Sequence, residues 1–374
     1  MQSSQKIVNI LKSSERTALI KIRKEDSYKM INFSNLGKLF PVIIAILISG
    51  AFQTVWAFET KSFSLGFGPE EDKLMYYNSK VVKEFEEIHP LGPSSFCIVK
   101  GKMVSIVDTF NNKLKQFDEN GNLINSIDMI ETVKAELSTA EIGLACIASR
   151  NNEKGEAEFA VSDSRNGKVY IISSGRLVKT IISPDEGRFG QVEEVSYDTD
   201  GALAVCDWAV NKIYIFDKNG KALRELPSQL NGMYFDSGIL YYIEKSVDGK
   251  MSFMKFNVAS NKSETLFVLD RPTFRIAKLL AVKAKGNFIV AFFDDSIQEK
   301  LVKKDAEKAP MGYFTASMVS ADGKIMASEN VPVTTASGSQ FFFDRTKDTL
   351  YYQHYNAELA PAGSYTLKKV NFDK

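Results

Sequence analysis

GALAVCDWAVNKIYIFDKNGKALREL, residues 201 to 226, holds a glycine turn, a short β-rich run ending at Asp207, an apolar run, an Asn-Gly turn and a further run. From Ile213 to Phe216 every position is apolar, whereas a strand from a sheet with one wet face alternates. Both faces of this strand are therefore expected to be covered. Asn219-Gly220 predicts a two-residue type I′ hairpin, a turn that needs positive φ at both central positions. Asn120-Gly121 predicts another.

The same order of signals recurs along the chain. A Gly turn and a β-rich run ending in an acid stand at Gly101 (KMVSIVD, to Asp108), Gly155 (EAEFAVSD, to Asp163), Gly238 (ILYYIE, to Glu244) and Gly286 (NFIVAFFD, to Asp294). A sixth copy without the glycine runs from Asp348 through TLYYQH to His354. Third strands follow as KLKQF, KVYII and KIYIF, and fourth strands as NLINSID, RLVKTIIS and KALREL. Six antiparallel four-stranded sheets, each buried on both faces and joined by hairpins, predict an all-β fold: a six-bladed β-propeller. The last repeat ends after three strands, with SYTLKKVNFDK as the third, so an N-terminal strand is expected to close the ring and hide its edges. Val81 to Glu86, VVKEFE, is the segment expected there; KSFSLGFG, Lys61 to Gly68, finds no place. Residues 131 to 141 predict a short helix between the first two blades, and residues 295 to 310 a charged insert in the fifth.

Residues 1 to 57 read differently. The first 38 residues carry eight Lys or Arg against three acids; then come the apolar run Leu39 to Phe52 and Val55-Trp56-Ala57, with small residues where a signal peptidase cuts. This is the layout of a signal peptide. Met30 opens a conventional one by itself, which makes it an alternative start. The rival reading is an uncleaved anchor over Leu39 to Phe58. Ala51 stands where a lipoprotein would need Cys. Either way residues 58 to 374 form one exported propeller, periplasmic or extracellular, or tethered outside the cytoplasm by that anchor.

The repeat also carries a family resemblance. VDTFNNKLKQFD, residues 107 to 118, followed by Asn120-Gly121, resembles the NHL repeat, whose core is an Asp-Thr-x-Asn-x-x-hydrophobic-x-x-Phe run. Residues 207 to 217 resemble it with one extra residue, and residues 163 to 170 are similar again, so the resemblance covers residues 96 to 227. It implies an interaction platform that binds a protein, a carbohydrate or a nucleic acid through one face of the ring; some related propellers are enzymes. Fold alone does not choose among these.

Composition narrows the choice. With 47 basic and 46 acidic side chains, the chain has no field for steering nucleic acid. Cys97, Cys146 and Cys206 are an odd number without metal or redox spacing, and are expected to be buried without a disulfide. The two histidines, His89 and His354, exclude a three-His zinc site within one chain. Gly66-Phe67-Gly68 is too short for a phosphate loop.

Two features suggest sites. Asp108, Asp163, Asp207, Glu244 and Asp294 end successive second strands, and symmetry could gather them into a carboxylate ring holding Ca²⁺. The competing reading is local: an Asp after a strand accepts backbone N–H bonds and shapes the next hairpin, a task suited to Asp-x-x-Asn at 108 to 111 and 163 to 166. Tyr76-Tyr77, Tyr241-Tyr242 and Tyr351-Tyr352 would suit a sugar platform or, as ordinary strand aromatics, the core. The expectation is a non-enzymatic exported scaffold for a protein or envelope glycan, with no cofactor. The alternative is a metal-dependent hydrolase or lactonase of the gluconolactonase-like type, although that group's acid and Asn metal set finds no residue-by-residue match here.

Overall fold

The computed structural model describes residues 19–24, 27–32, 63–76, 92–99, 102–227, 232–271, 273–296, 298, 312–334, 339–355 and 363–372. The chain divides into Met1–Trp56 and Ala57–Lys374. In the first unit, Leu19–Lys24 pairs antiparallel with Ser27–Asn32. Among the described residues no helix is long and apolar enough to cross a membrane. The apolar segment, residues 39 to 58, lies outside them.

The second unit is a six-bladed β-propeller of four-stranded antiparallel sheets. Blade 1 consists of Ser95–Val99, Met103–Asp108, Lys113–Phe117 and Leu123–Asp128. Blade 2 consists of Leu144–Asn151, Ala157–Asp163, Lys168–Ser173 and Arg176–Ile181. Blade 3 consists of Val192–Tyr197, Leu203–Asp207, Lys212–Phe216 and Ala222–Pro227. Blade 4 consists of Met233–Asp236, Ile239–Lys245, Lys250–Asn257 and Lys262–Asp270. Blade 5 consists of Phe274–Val282, Phe288–Asp294, Tyr313–Val319 and Ile325–Pro332. Blade 6 takes Phe341–Asp344, Thr349–His354 and Ser364–Lys369 from the C-terminus. First strands of successive blades touch around the axis, including those of blades 6 and 1. The NHL-like segments fall in blades 1 to 3.

Ser64–Gly66 supplies the fourth strand of blade 6, pairing Leu65 with Tyr365. The place expected for Val81 to Glu86 is thus taken by part of KSFSLGFG, and residues 81 to 86 lie outside the described residues. Packing decides this: Phe63 and Leu65 are buried among blade 1 and blade 6 residues such as Val104, Phe117 and Tyr365. Ile213, Tyr214, Ile215 and Phe216 are all buried, as expected for a strand covered on both faces. Their neighbours come from adjacent blades, so the apolar core lies between blades.

The hairpins depart from expectation in type. At Asn120-Gly121 and Asn219-Gly220 only the glycine has positive φ, +83° in both. Asp118 accepts from the Asn120 and Asn122 N–H groups at 2.9 and 2.8 Å, and the ladder shifts register at Gln116/Phe117. Each is a type I turn ending in a glycine bulge, because the Asp side chain holds the central residues right-handed. Two-residue loops with positive φ at both positions occur instead at Ser174-Gly175 and Ser237-Gly238. In the sixth copy Asp348 takes the left-handed position itself, at φ +51°. The helix expected within residues 131 to 141 starts earlier, as Met129–Val133, where the Asp128 side chain caps the Glu131 N–H at 3.1 Å. The insert expected at residues 295 to 310 lies almost wholly outside the described residues.

Candidate functional site

In an antiparallel meander, turns after the first and third strands share one face of the ring. Turns after the second strand and the links to the next blade share the other. The first face is plain: none of its connections exceeds five residues. The second is elaborated among the described residues, with 129–143 and 182–191 among its connections. The exposed large apolar side chains follow the same division. Ile182, Trp208, Val210 and Val247 stand on the elaborated face, and Ile124, Val178, Val268 and Met326 on outer strands. Among the described residues, none stands in a plain-face turn.

The five recurring acids end their strands toward the elaborated face, away from the axis. Asp108 is fully buried, 2.9 Å from the Lys115 ammonium, and accepts from Met75 N–H at 3.2 Å and Asn111 Nδ2 at 2.8 Å. Asp163 accepts from Gly143 N–H at 2.9 Å, Asn166 Nδ2 at 2.7 Å and the Tyr170 hydroxyl at 3.1 Å. Asp207 accepts from the N–H groups of Gly190, Gln191 and Ala209 at 2.7, 2.9 and 3.1 Å. Asp294 accepts from Ser296 N–H at 3.0 Å. In blades 2 and 3 the acid thus binds the segment entering its own blade, the local task suited to an Asp after a strand. Lys115 and Tyr170 hold the same third-strand position and reach the equivalent acids of their blades, Asp108 and Asp163. Among the described residues, no group of three His, Cys, Asp or Glu side chains could hold a metal ion.

The thiols of Cys97, Cys146 and Cys206 are buried and free of disulfides. Burial pushes the Cys97 thiol up to about 12 and raises that of Cys146 as well, so neither is a thiolate nucleophile at neutral pH. Burial, with Lys368 nearby, lowers His354 to about 4, which leaves it neutral. Tyr76, Tyr242, Tyr351 and Tyr352 are buried and Tyr241 partly so, as core residues. Tyr77 lies outside the described residues.

Sequence reasoning did not foresee the axial groups. First strands surround a cavity of about 440 Å³, and none of the five acids lines it. At one end Arg345 reaches from blade 6 to blades 3 and 4, bonding Asp236 at 2.9 Å, the Tyr197 carbonyl at 3.1 Å and the Phe235 carbonyl at 2.5 Å. Its guanidinium lies 4.6 Å from the Tyr234 ring centroid. Arg150 pairs with Glu158 at 2.5 Å and stacks on Tyr197, whose hydroxyl donates to the same carboxylate at 3.1 Å. Glu194, on the first strand of blade 3, accepts from Met233 N–H at 3.1 Å. Burial holds its carboxyl up at about 8, against the pull of nearby Lys278. At neutral pH it is a hydrogen-bond donor rather than a charge.

No family model matches the chain, and no curated protein is similar to it in sequence. Among solved structures it is similar to virginiamycin B lyase from Staphylococcus aureus, at 13% identity over 72% of this chain and 77% of that one, with a TM-score of 0.43. It is similar to hydrazine synthase from Kuenenia stuttgartiensis at 12% identity over 74% and 80%, with a TM-score of 0.46. For Sqt1 from Saccharomyces cerevisiae the identity is 15% and the TM-score 0.39, over 56% of this chain and only 59% of that one. Likenesses this distant carry no argument about function.

Proposed function

We infer that the chain is a non-enzymatic binding scaffold, exported by its N-terminal segment, that engages a protein partner through the elaborated face. The observation that carries this reading is the division between faces. Among the described residues, the connections 129–143 and 182–191 and four exposed apolar side chains lie on one side of a ring whose other side is all tight turns. Loops on a rigid repeat scaffold commonly carry recognition, and an exposed Trp is a frequent anchor of an interface. Asp163 and Asp207 are occupied by backbone donors of the segments entering their own blades, and support the same reading.

The test compares the two faces. Immobilised full-length chain is exposed to envelope extract, with Trp208→Ala plus Ile182→Ser altering the elaborated face and Lys154→Ala plus Lys221→Ala the plain one. A protein retained by wild type should be retained by the plain-face variant and lost about tenfold or more by the other, since a buried aromatic anchor carries roughly 2 kcal/mol or more. Equal retention by both variants, or none by wild type, contradicts the reading.

A further inference from the structure

The axial cavity is not needed for binding on the face of the ring, yet at about 440 Å³ it is as large as a small-molecule pocket. Much of its wall is apolar, including Phe96, Ile98, Met233, Leu280, Phe341 and Phe342. Five charged side chains also line it, and four of these are already engaged. Arg150 is paired with Glu158 and Arg345 with Asp236. Asp198 accepts from Gly238 N–H at 2.9 Å and Thr199 N–H at 2.6 Å. Asp344 accepts from Thr346 N–H at 2.9 Å, with the Lys347 ammonium 3.8 Å from its other oxygen.

The fifth is Glu194. Its Oε2 accepts from Met233 N–H, while Oε1 has no partner among the described residues. The fields of Lys278 and Glu193 around it oppose each other. A charged guest would leave water without meeting a free counter-charge, which is costly. An uncharged one meets the apolar part of the wall and, in Oε1 of Glu194, a polar atom left unspent.

We propose that the axial cavity binds a small uncharged molecule with an apolar body, which presents one acceptor oxygen, such as a ketone carbonyl, to Oε1 of Glu194. The carboxyl is protonated up to about pH 8, so its O–H donates to the guest while Oε2 keeps the Met233 bond. Ionisation removes that donor. Met233, Cys146, Lys278 and Glu193 are the neighbours of Glu194 on the surrounding blades and its own strand.

Calorimetry on the full-length protein tests this with acetophenone as probe, beside ethylbenzene, benzoate and phenethylamine. Acetophenone should bind saturably at one site per chain, ethylbenzene about tenfold more weakly for want of an acceptor, and the two ions not measurably. Glu194→Gln, whose amide N–H₂ replaces the donor, should keep binding, and Glu194→Leu should lose about tenfold. Wild-type affinity should be flat below pH 8 and fall above it, by up to about tenfold per pH unit, whereas Glu194→Gln stays flat. The proposal is overturned if acetophenone does not saturate, if an ion binds more tightly, or if the Glu194→Gln profile falls with that of wild type.

Discussion

Leu65→Pro in the full-length chain is expected to abolish cooperative folding of the ring. Only three residues, Ser64–Gly66, complete blade 6, and Leu65 is the middle one, opposite Tyr365. Proline there disturbs the pairing with Ser364–Lys369 and removes a side chain buried to 3%. Phe63 and Phe67 on either side are also buried, and the Phe63 ring meets Phe117 of blade 1 and Tyr365 of blade 6 edge-on, each at 6.4 Å. Losing a buried side chain of this size costs about 2 to 5 kcal/mol, so losing the three together approaches the roughly 5 to 15 kcal/mol that holds a domain folded. The edge left bare on blade 6 would then pair with other chains. Circular dichroism melting and gel filtration should show a lost or strongly lowered transition and high-mass species. A monomer melting within about two degrees of wild type would show that another segment can close the ring.

Asp108→Ala should have the second largest effect. It leaves the Lys115 ammonium, itself 1% exposed, without its counter-charge in the core. Removing one partner of a buried pair typically costs about 3 to 5 kcal/mol. The pair also ties the ring-closing region to blade 1, since Asp108 accepts from Met75 N–H and Lys115 donates to the Lys73 carbonyl. Adding Lys115→Met removes the stranded charge and should recover part of the loss, a coupling that a double-mutant cycle reads directly. Asp294→Ala, at a half-buried acid whose side chain is bonded, among the described residues, to Ser296 alone, should cost within about 1 kcal/mol. Denaturant melts of the four variants check the order. Equal losses for Asp108→Ala and Asp294→Ala would mean that the buried pair contributes nothing special.

The blades were legible because each rests on local chemistry. Gly or Asp at a left-handed turn position, an apolar run such as Ile213 to Phe216, and Asp108 or Asp163 three residues ahead of an Asn all write their geometry into neighbouring positions. The hairpin type was misread because Asn-Gly alone does not reveal the part played by Asp118 two residues earlier. The closing strand was misread for a different reason. VVKEFE has the pattern of an outer strand, whereas Ser64–Gly66 is short and chosen by the packing of Phe63 and Leu65 against residues up to 302 positions away, such as Tyr365. The axial groups had no sequence signal. Glu194 is one of 46 acids, and only the ring brings Met233 and Lys278 to it. Arg345 is likewise an ordinary turn residue until the first strands of blades 3 and 4 place Asp236 and the Tyr197 carbonyl within its reach.

The scaffold reading also requires that the recurring acids serve their own blades and hold no metal. Thermal unfolding of the full-length protein in EDTA, and with Ca²⁺, Mg²⁺, Zn²⁺ or Mn²⁺ in excess, tests it most directly. The midpoint should be the same in every condition. A metal held at 100 times its dissociation constant would add about 2.7 kcal/mol. A rise of several degrees with one ion, abolished by Asp207→Ala or Asp163→Ala, would contradict the scaffold account and make the chain a metal protein.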